Sequence, residues 1–213
     1  MTEYTKIETV FERDTEGTKK LIEGVFRSST VEYLKDNEWI WTEKIDGTNI
    51  GVIWDGHRVS FQGRTEKAVI PKPLLKSLEE LFGGETNEEI FEQVFGNKNV
   101  ILYGEGYGNK IQKCGKDYLE DTVSFILFDI YLPVIDIWLT RNECEEIAKT
   151  LGIDIVPIVG IGSIYEAVDF VKRRPKSTIG TADMEGVVAR PRTDLRDRFG
   201  DRVIVKIKAR DFI

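Results

Sequence analysis

Glu43-Lys44-Ile45-Asp46-Gly47-Thr48-Asn49 stands between two runs of strand character. Upstream, Trp39 to Lys44 alternates and is rich in aromatic residues. Downstream, Asn49 to Trp54 reads as a second strand. Asp55-Gly56 then supplies a tight turn, and Arg58 to Gln62 returns as a third strand. A lysine at the end of a strand, meeting a turn that contains Asp-Gly, has its ammonium group exposed. The glycine lets a ligand phosphate come close to the backbone. Taken alone, Lys-x-Asp-Gly is equally an ordinary surface turn.

Working outward, five more segments carry chemistry. Phe61-Gln62-Gly63-Arg64-Thr65 ends the third strand with an arginine that can fork onto phosphate oxygens or form a surface salt bridge. In Tyr103-Gly104-Glu105-Gly106-Tyr107-Gly108 an apolar strand delivers a carboxylate into what reads as a glycine-rich turn. Glycines on alternate positions permit close approach of a ligand, although a plain hairpin fits as well. No Gly-Lys-Ser/Thr follows, so this is not a Walker loop. Phe128, in Phe125-Ile126-Leu127-Phe128-Asp129-Ile130, is either a core aromatic or a surface on which a base can stack. Glu185 opens a buried strand, Gly186 to Arg190. Val205-Lys206-Ile207-Lys208 puts both lysines on one face by its period of two. Such a face needs an anion or solvent.

Helical spacing predicts Pro73 to Phe82, with Leu74, Leu75, Leu78 and Leu81 on one face, and also Glu88 to Phe95, Thr140 to Leu151 and Ser163 to Arg174. Asn99 to Glu105, Val123 to Tyr131 and Arg202 to Lys208 read as strands. The first 38 residues are ambiguous. Strands and helices mix without βαβ alternation, which predicts an α+β fold with mainly antiparallel sheets.

Composition narrows the function. The 213 residues are 41% hydrophobic and 31% charged, enough for a buried core and a solvated surface. No repeat, low-complexity tract or linker divides the chain, so residues 1–213 are expected to form a single domain. There is no apolar run of bilayer length, and Met1-Thr2-Glu3-Tyr4-Thr5-Lys6 is polar and lacks a signal core. A soluble, cytoplasmic protein with no membrane partner is expected. Cys114 and Cys144, 30 residues apart, have no zinc-ligand spacing and read as reduced thiols. His57 is the only histidine and follows a turn signal. Ser-His-Asp catalysis and multi-histidine metal sites are therefore set aside. Net charge is -7, yet Lys172 to Arg210 holds 12 basic and 5 acidic residues. That basic third is either a solvated surface or a phosphate-binding face.

Together and in order, these segments resemble the covalent nucleotidyltransferase superfamily of DNA ligases, RNA ligases and mRNA capping enzymes. Lys44-x-Asp46-Gly47 looks like motif I, Arg64 like the arginine of motif Ia and Tyr103-Gly104-Glu105 like motif III. Phe128-Asp129 looks like motif IIIa, Glu185-Gly186-Val187-Val188 like motif IV and Lys206-Ile207-Lys208 like motif V. Asn49 stands where DNA ligases and capping enzymes usually carry arginine. This departure resembles the ATP-dependent RNA ligase 2 group, named for the phage T4 enzyme.

The resemblance implies antiparallel sheets flanked by helices with the nucleotide held between them. It implies that Lys44 takes AMP from ATP, passes it to a 5′-phosphate and releases it when a 3′-hydroxyl attacks. The expected partners are RNA or RNA/DNA strand ends. A free lysine titrates near about 10.4, and nearby cations such as Lys206 and Lys208 favour its neutral form. By the same resemblance Glu105 binds ribose hydroxyls and helps place metal, while Glu185 holds a divalent cation. Mg²⁺ suits this set, and Mn²⁺ can replace it. Phe128 stacks on adenine, Glu43 lies beside the base, and Arg64 and Asn49 hold phosphates. Asp46 is read as shaping the turn. The sequence is expected to lack an OB-fold or other C-terminal domain. Self-adenylation without efficient nick sealing is then expected unless an accessory duplex-binding partner helps. The alternatives are a DNA ligase, a capping-type guanylyltransferase, or an inactive nucleic-acid-binding module.

Overall fold

The computed structural model describes residues 3–65 and 67–212; Met1, Thr2, Glu66 and Ile213 lie outside the described residues. The chain opens with β1 (Glu8–Thr9), β2 (Phe11–Arg13), β3 (Leu21–Phe26), α1 (Ser29–Leu34) and β4 (Trp39–Lys44). There follow β5 (Thr48–Trp54), β6 (Val59–Gln62), α2 (Lys72–Phe82), α3 (Glu85–Phe95), β7 (Val100–Gly108) and α4 (Gly115–Tyr118). Then come β8 (Val123–Leu132), β9 (Ile137–Trp138), α5 (Arg141–Leu151) and β10 (Asp154–Ile155). β11 (Ile158–Gly162), α6 (Ile164–Lys172), β12 (Gly186–Pro191) and β13 (Val205–Lys208) complete the elements before a 3-10 turn at Ala209–Phe212.

These elements form two compact units. One combines Met1–Thr5 with Asp46–Val156, and the other combines Lys6–Ile45 with Pro157–Ile213. The unit containing Lys44 is built on a sheet of order β1-β13-β12-β4-β11, with the β2-β3 hairpin beside it in sequence. All pairings in that sheet are antiparallel except β1 with β13. Its core gathers Val10, Phe11, Trp39, Val187, Ala189 and Ile207 with Ile164, Ala167, Val168 and Val171 of α6. Helix α6 starts where the sequence predicts. Ser163 caps it, and Glu166 closes the reciprocal capping box.

The other unit is built on the sheet β10-β8-β7-β5-β6, with β9 on β8. Among its described residues, only β10 and β8 run parallel. One face of this sheet packs Ile50, Val52, Trp54, Val100, Leu102, Phe125 and Leu127 against helices. Helix α2 contributes Leu74, Leu78 and Phe82, a stripe four residues apart, while Leu75 and Leu81 flank it only partly buried. Each of those three side chains is worth about 1.5–3 kcal/mol on burial. That exceeds the few tenths of a kcal/mol by which residues differ in helix propensity, so packing decides the helix. Helix α5 carries a second capping box, Thr140 with Glu143, and stops at Gly152 with φ 66°.

The architecture is α+β with mainly antiparallel sheets and packed helices, as expected. One expectation is corrected. The glycine-rich run after Tyr103 is not a turn, because β7 continues through it to Gly108. The glycines serve sheet and helix packing. A Cβ on Gly104 would lie 2.2 Å from Phe125 Cζ, and one on Gly106 would lie 2.4 Å from Leu74 Cδ2. In the ambiguous N-terminal region, β1 and β2 have two and three residues, too few to display a period. The polar turn before β3 is organised by Asp14, whose carboxylate accepts the N–H groups of Glu16, Gly17 and Thr18.

Candidate active site

Sheet register creates the site around Lys44. Gly186 on β12 pairs with Lys44 on one side and with Lys208 on the other. The two lysines therefore stand in one row, separated by a residue without a side chain. Val188 pairs with Lys206, so that lysine occupies the next row on the same face. A Cβ on Gly186 would lie 2.0 Å from the Ile207 carbonyl oxygen, so the row closes only around glycine. Glu185, one residue before Gly186, reaches both lysines. Its Oε2 accepts from Lys44 Nζ at 2.6 Å and its Oε1 from Lys208 Nζ at 2.6 Å. The three side chains are 24%, 14% and 13% exposed, respectively for Lys44, Glu185 and Lys208, so the charges are held largely out of water.

The electrostatics follow from this packing. Burial pushes the Glu185 carboxyl up, but the charges and hydrogen bonds of Lys44 and Lys208 outweigh it, and the net direction is down. Glu185 is thus a firm anion between two ammonium groups. Lys206 is shifted down from the ordinary lysine value, first by burial and then by the charges of Lys208 and Lys44. Glu8 opposes that shift, and its own carboxyl is held low by its bond to Lys6 and by Arg27 despite some burial.

Glu43 faces the other side of β4. It is 1% exposed. Oε2 accepts from the backbone N–H and hydroxyl of Thr178, whereas Oε1 has no hydrogen-bond partner among the described residues. A buried carboxylate oxygen left without a donor is costly. Thr178 lies in the polar turn Ser177-Thr178-Ile179-Gly180, which carries no signal of this role in sequence.

The second unit holds the other expected residues. Asn49 on β5 pairs directly with Glu105 on β7, and both are partly exposed. Phe128 is the extra residue of a β-bulge, since Tyr103 pairs with Asp129 while Gly104 pairs with Leu127. A bulge re-aims a side chain, and here it leaves Phe128 partly exposed beside buried Asp129. The sequence reading missed Tyr4. Its hydroxyl donates to Asp129 Oδ2, and its ring meets Phe128 edge-on with centroids 5.0 Å apart. Tyr103 and Trp138 pack on the same ring. Arg64 lies two residues beyond β6 with an exposed side chain. Asp46 accepts from the Cys114 thiol. His57 is an exposed turn residue, Cys114 is half-buried and Cys144 is buried.

The RNA ligase family model matches residues 37–208. The chain belongs to the RNA ligase family. Among solved structures, a variant of Naegleria gruberi RNA ligase with ATP and manganese aligns at TM-score 0.68 and 20% identity, over 100% of this chain and 57% of that one. The same ligase with pyrophosphate aligns at TM-score 0.64 and 19% identity, over 98% and 62%. A further variant, with AMP and manganese, gives TM-score 0.64 at 18% identity over 97% and 62%. The fold is that of an RNA ligase nucleotidyltransferase. The chain spans a little over half the length of the ligase chains in the first of these matches. No curated protein matches. Among the described residues of this RNA ligase family member, no helix is long and apolar enough to cross a membrane.

Proposed function

We propose that this protein is an ATP-dependent RNA ligase of the RNA ligase 2 type, in which Lys44 carries AMP as a covalent lysyl adenylate. The observation that carries the reading is the row Lys44–Gly186–Lys208, bridged by Glu185. The family match through residues 37–208 runs across both units and supports reading them as one catalytic domain.

In the reaction, the Lys44 nitrogen attacks the α-phosphorus of ATP. A nitrogen–phosphorus bond forms, the bond from that phosphorus to the bridging oxygen breaks, and pyrophosphate leaves with the electron pair. Donating to Glu185 as an ammonium group, Lys44 has no lone pair, so it must first lose a proton, to Glu185 or to solvent water, before the nitrogen can attack. Lys208 and Lys206, on the same sheet face, neutralise charge gathering on the phosphate oxygens. AMP then passes to a 5′-phosphate strand end, and a 3′-hydroxyl displaces it to join RNA or RNA/DNA strands.

A divalent cation fits the donor set. Among the described residues no group of three or more carboxylate, His or Cys side chains forms a cage. A hard ion held by one or two carboxylates, water and phosphate oxygens needs none. Glu185 would hold it, because each of its oxygens keeps acceptor capacity beyond its one lysine. The part of Glu105 in placing the ion is what the family resemblance implies. When bound, Mg²⁺ or Mn²⁺ supplies positive charge at the phosphates. In the second unit, Asn49 and Arg64 take phosphates, Glu105 takes ribose hydroxyls and Phe128 stacks on the base.

Glu43 supplies base choice. By the family resemblance it lies beside the base, and adenine is expected over guanine. The test is incubation with α-labelled ATP or GTP and Mg²⁺, followed by denaturing electrophoresis. Label from ATP on the wild-type chain is expected. Its loss in Lys44→Ala and a strong preference over GTP are also expected. Equal labelling by GTP, or label retained in Lys44→Ala, would contradict the proposal.

A further inference from the structure

The turn that follows Lys44 is gripped by a segment to which the sequence assigned no role. Gln112 Nε2 donates to the Gly47 carbonyl at 2.9 Å. The Cys114 thiol donates to Asp46 Oδ2 at 3.2 Å. The Asp46 backbone N–H donates to the Tyr118 hydroxyl oxygen at 3.4 Å. Three side chains from one short stretch thus hold both residues of the turn.

The grip has a firm base. Gly115, which opens α4, packs so tightly that a Cβ there would lie 1.9 Å from the Gly108 carbonyl oxygen at the end of β7. The Tyr118 ring meets Tyr107 of β7 edge-on at 6.0 Å. Gly47 lies against the same strand, where a Cβ would stand 2.3 Å from the Gly106 carbonyl oxygen. The turn is held between β7 and the 112–118 segment.

A turn that only reverses the chain does not need this. At the hairpin between β5 and β6, Asp55 closes the turn locally, its Oδ1 accepting from the N–H groups of His57 and Arg58. Asp46 instead bonds to residues 68 and 72 positions away. Burial, then the bond to Asp46, pushes the Cys114 thiol up to about 11, so it stays a donor through neutral and mildly alkaline pH.

We infer that Gln112, Cys114 and Tyr118 are positioning residues for adenylation. They fix the backbone at Asp46 and Gly47, to which Lys44 is joined through Ile45 alone. The inference rests on Lys44 being the nucleophile. Its physical basis is that attack on phosphorus tolerates little misalignment. A displacement of about 1 Å can cost on the order of 100-fold in rate.

The test is single-turnover self-adenylation over a range of ATP concentrations, for wild type, Cys114→Ala, Cys114→Ser and Gln112→Ala, with a thermal midpoint for each. Cys114→Ala and Gln112→Ala are expected to lower the maximal rate by about tenfold or more. Half-saturating ATP and the thermal midpoint should stay near wild type. Cys114→Ser, which keeps a donor, should recover most of the rate. Wild-type rates in the alanine variants would overturn the inference. So would a serine variant as slow as the alanine one, or rate losses that track the thermal midpoint. A wild-type chain that takes up no label would instead remove the adenylation reading, and the inference with it.

Discussion

Glu185 sits between two ammonium groups and is the residue on which the local charge balance turns. Removing it leaves Lys44 and Lys208 facing each other largely out of water. Glu185→Ala should therefore cost about 3 kcal/mol of stability, measurable by denaturant unfolding, and should abolish adenylation. Lys206 presents the opposite case. Its folded-state value lies below the ordinary 10.5, so its charge disfavours folding at neutral pH. That penalty is present below the folded value and is relieved as pH rises from there to 10.5. Lys206→Met should accordingly raise the thermal midpoint at pH 7, by an amount that shrinks toward pH 10.5. Its adenylation rate should fall by on the order of 100-fold. A variant neither more stable nor slower would show that Lys206 is merely solvated.

Strands carry the site because pairing register delivers distant residues to one row. Lys44, Gly186 and Lys208 are adjacent only because β12 lies between β4 and β13. Gly186→Ala must push β12 from β13, since its new methyl would lie 2.0 Å from a backbone oxygen. A loss of about 1–3 kcal/mol is expected in unfolding measurements, with adenylation reduced further than stability. The same geometry explains what was legible in sequence. Lys44, Glu185, Lys206 and Lys208 lie on or beside strands whose alternation can be read from a few letters. Asn49 and Glu105 were legible as motif residues, but their direct pairing follows only from register. Thr178 and Tyr4 were not legible, because each meets its partner across 125 residues or more without any local pattern. The run 104–108 was misread because alternate glycines signal a turn locally, while their cause is the side chains of Phe125 and Leu74 packed against them.

Across the whole chain, charge is less lopsided in space than in sequence. Two residues of the basic C-terminal third pair with acids outside it, Lys172 with Glu23 and Arg192 with Glu38, while Lys176 with Asp183 and Lys208 with Glu185 pair inside it. Carboxyl groups of this chain are repeatedly shifted down, among them Glu8, Asp14, Asp55, Asp183 and Glu185. A depressed folded value contributes stability above the unfolded value and loses it as pH falls through the folded one. The thermal midpoint should hold down to about pH 5, then fall steadily as pH drops below the ordinary 4.5 and 3.8 of Glu and Asp. A midpoint unchanged at pH 3 would mean that these bonds contribute little. Fold and family membership join an α+β frame to the lysine row, and the proposed chemistry depends on one nitrogen. The most direct measurement is peptide mapping by mass spectrometry after incubation with ATP and Mg²⁺, before any strand end is added. The account predicts an acid-labile AMP adduct on the peptide containing Lys44 and on no other peptide. An adduct on Lys206, Lys208 or elsewhere, with Lys44 unmodified, would contradict it.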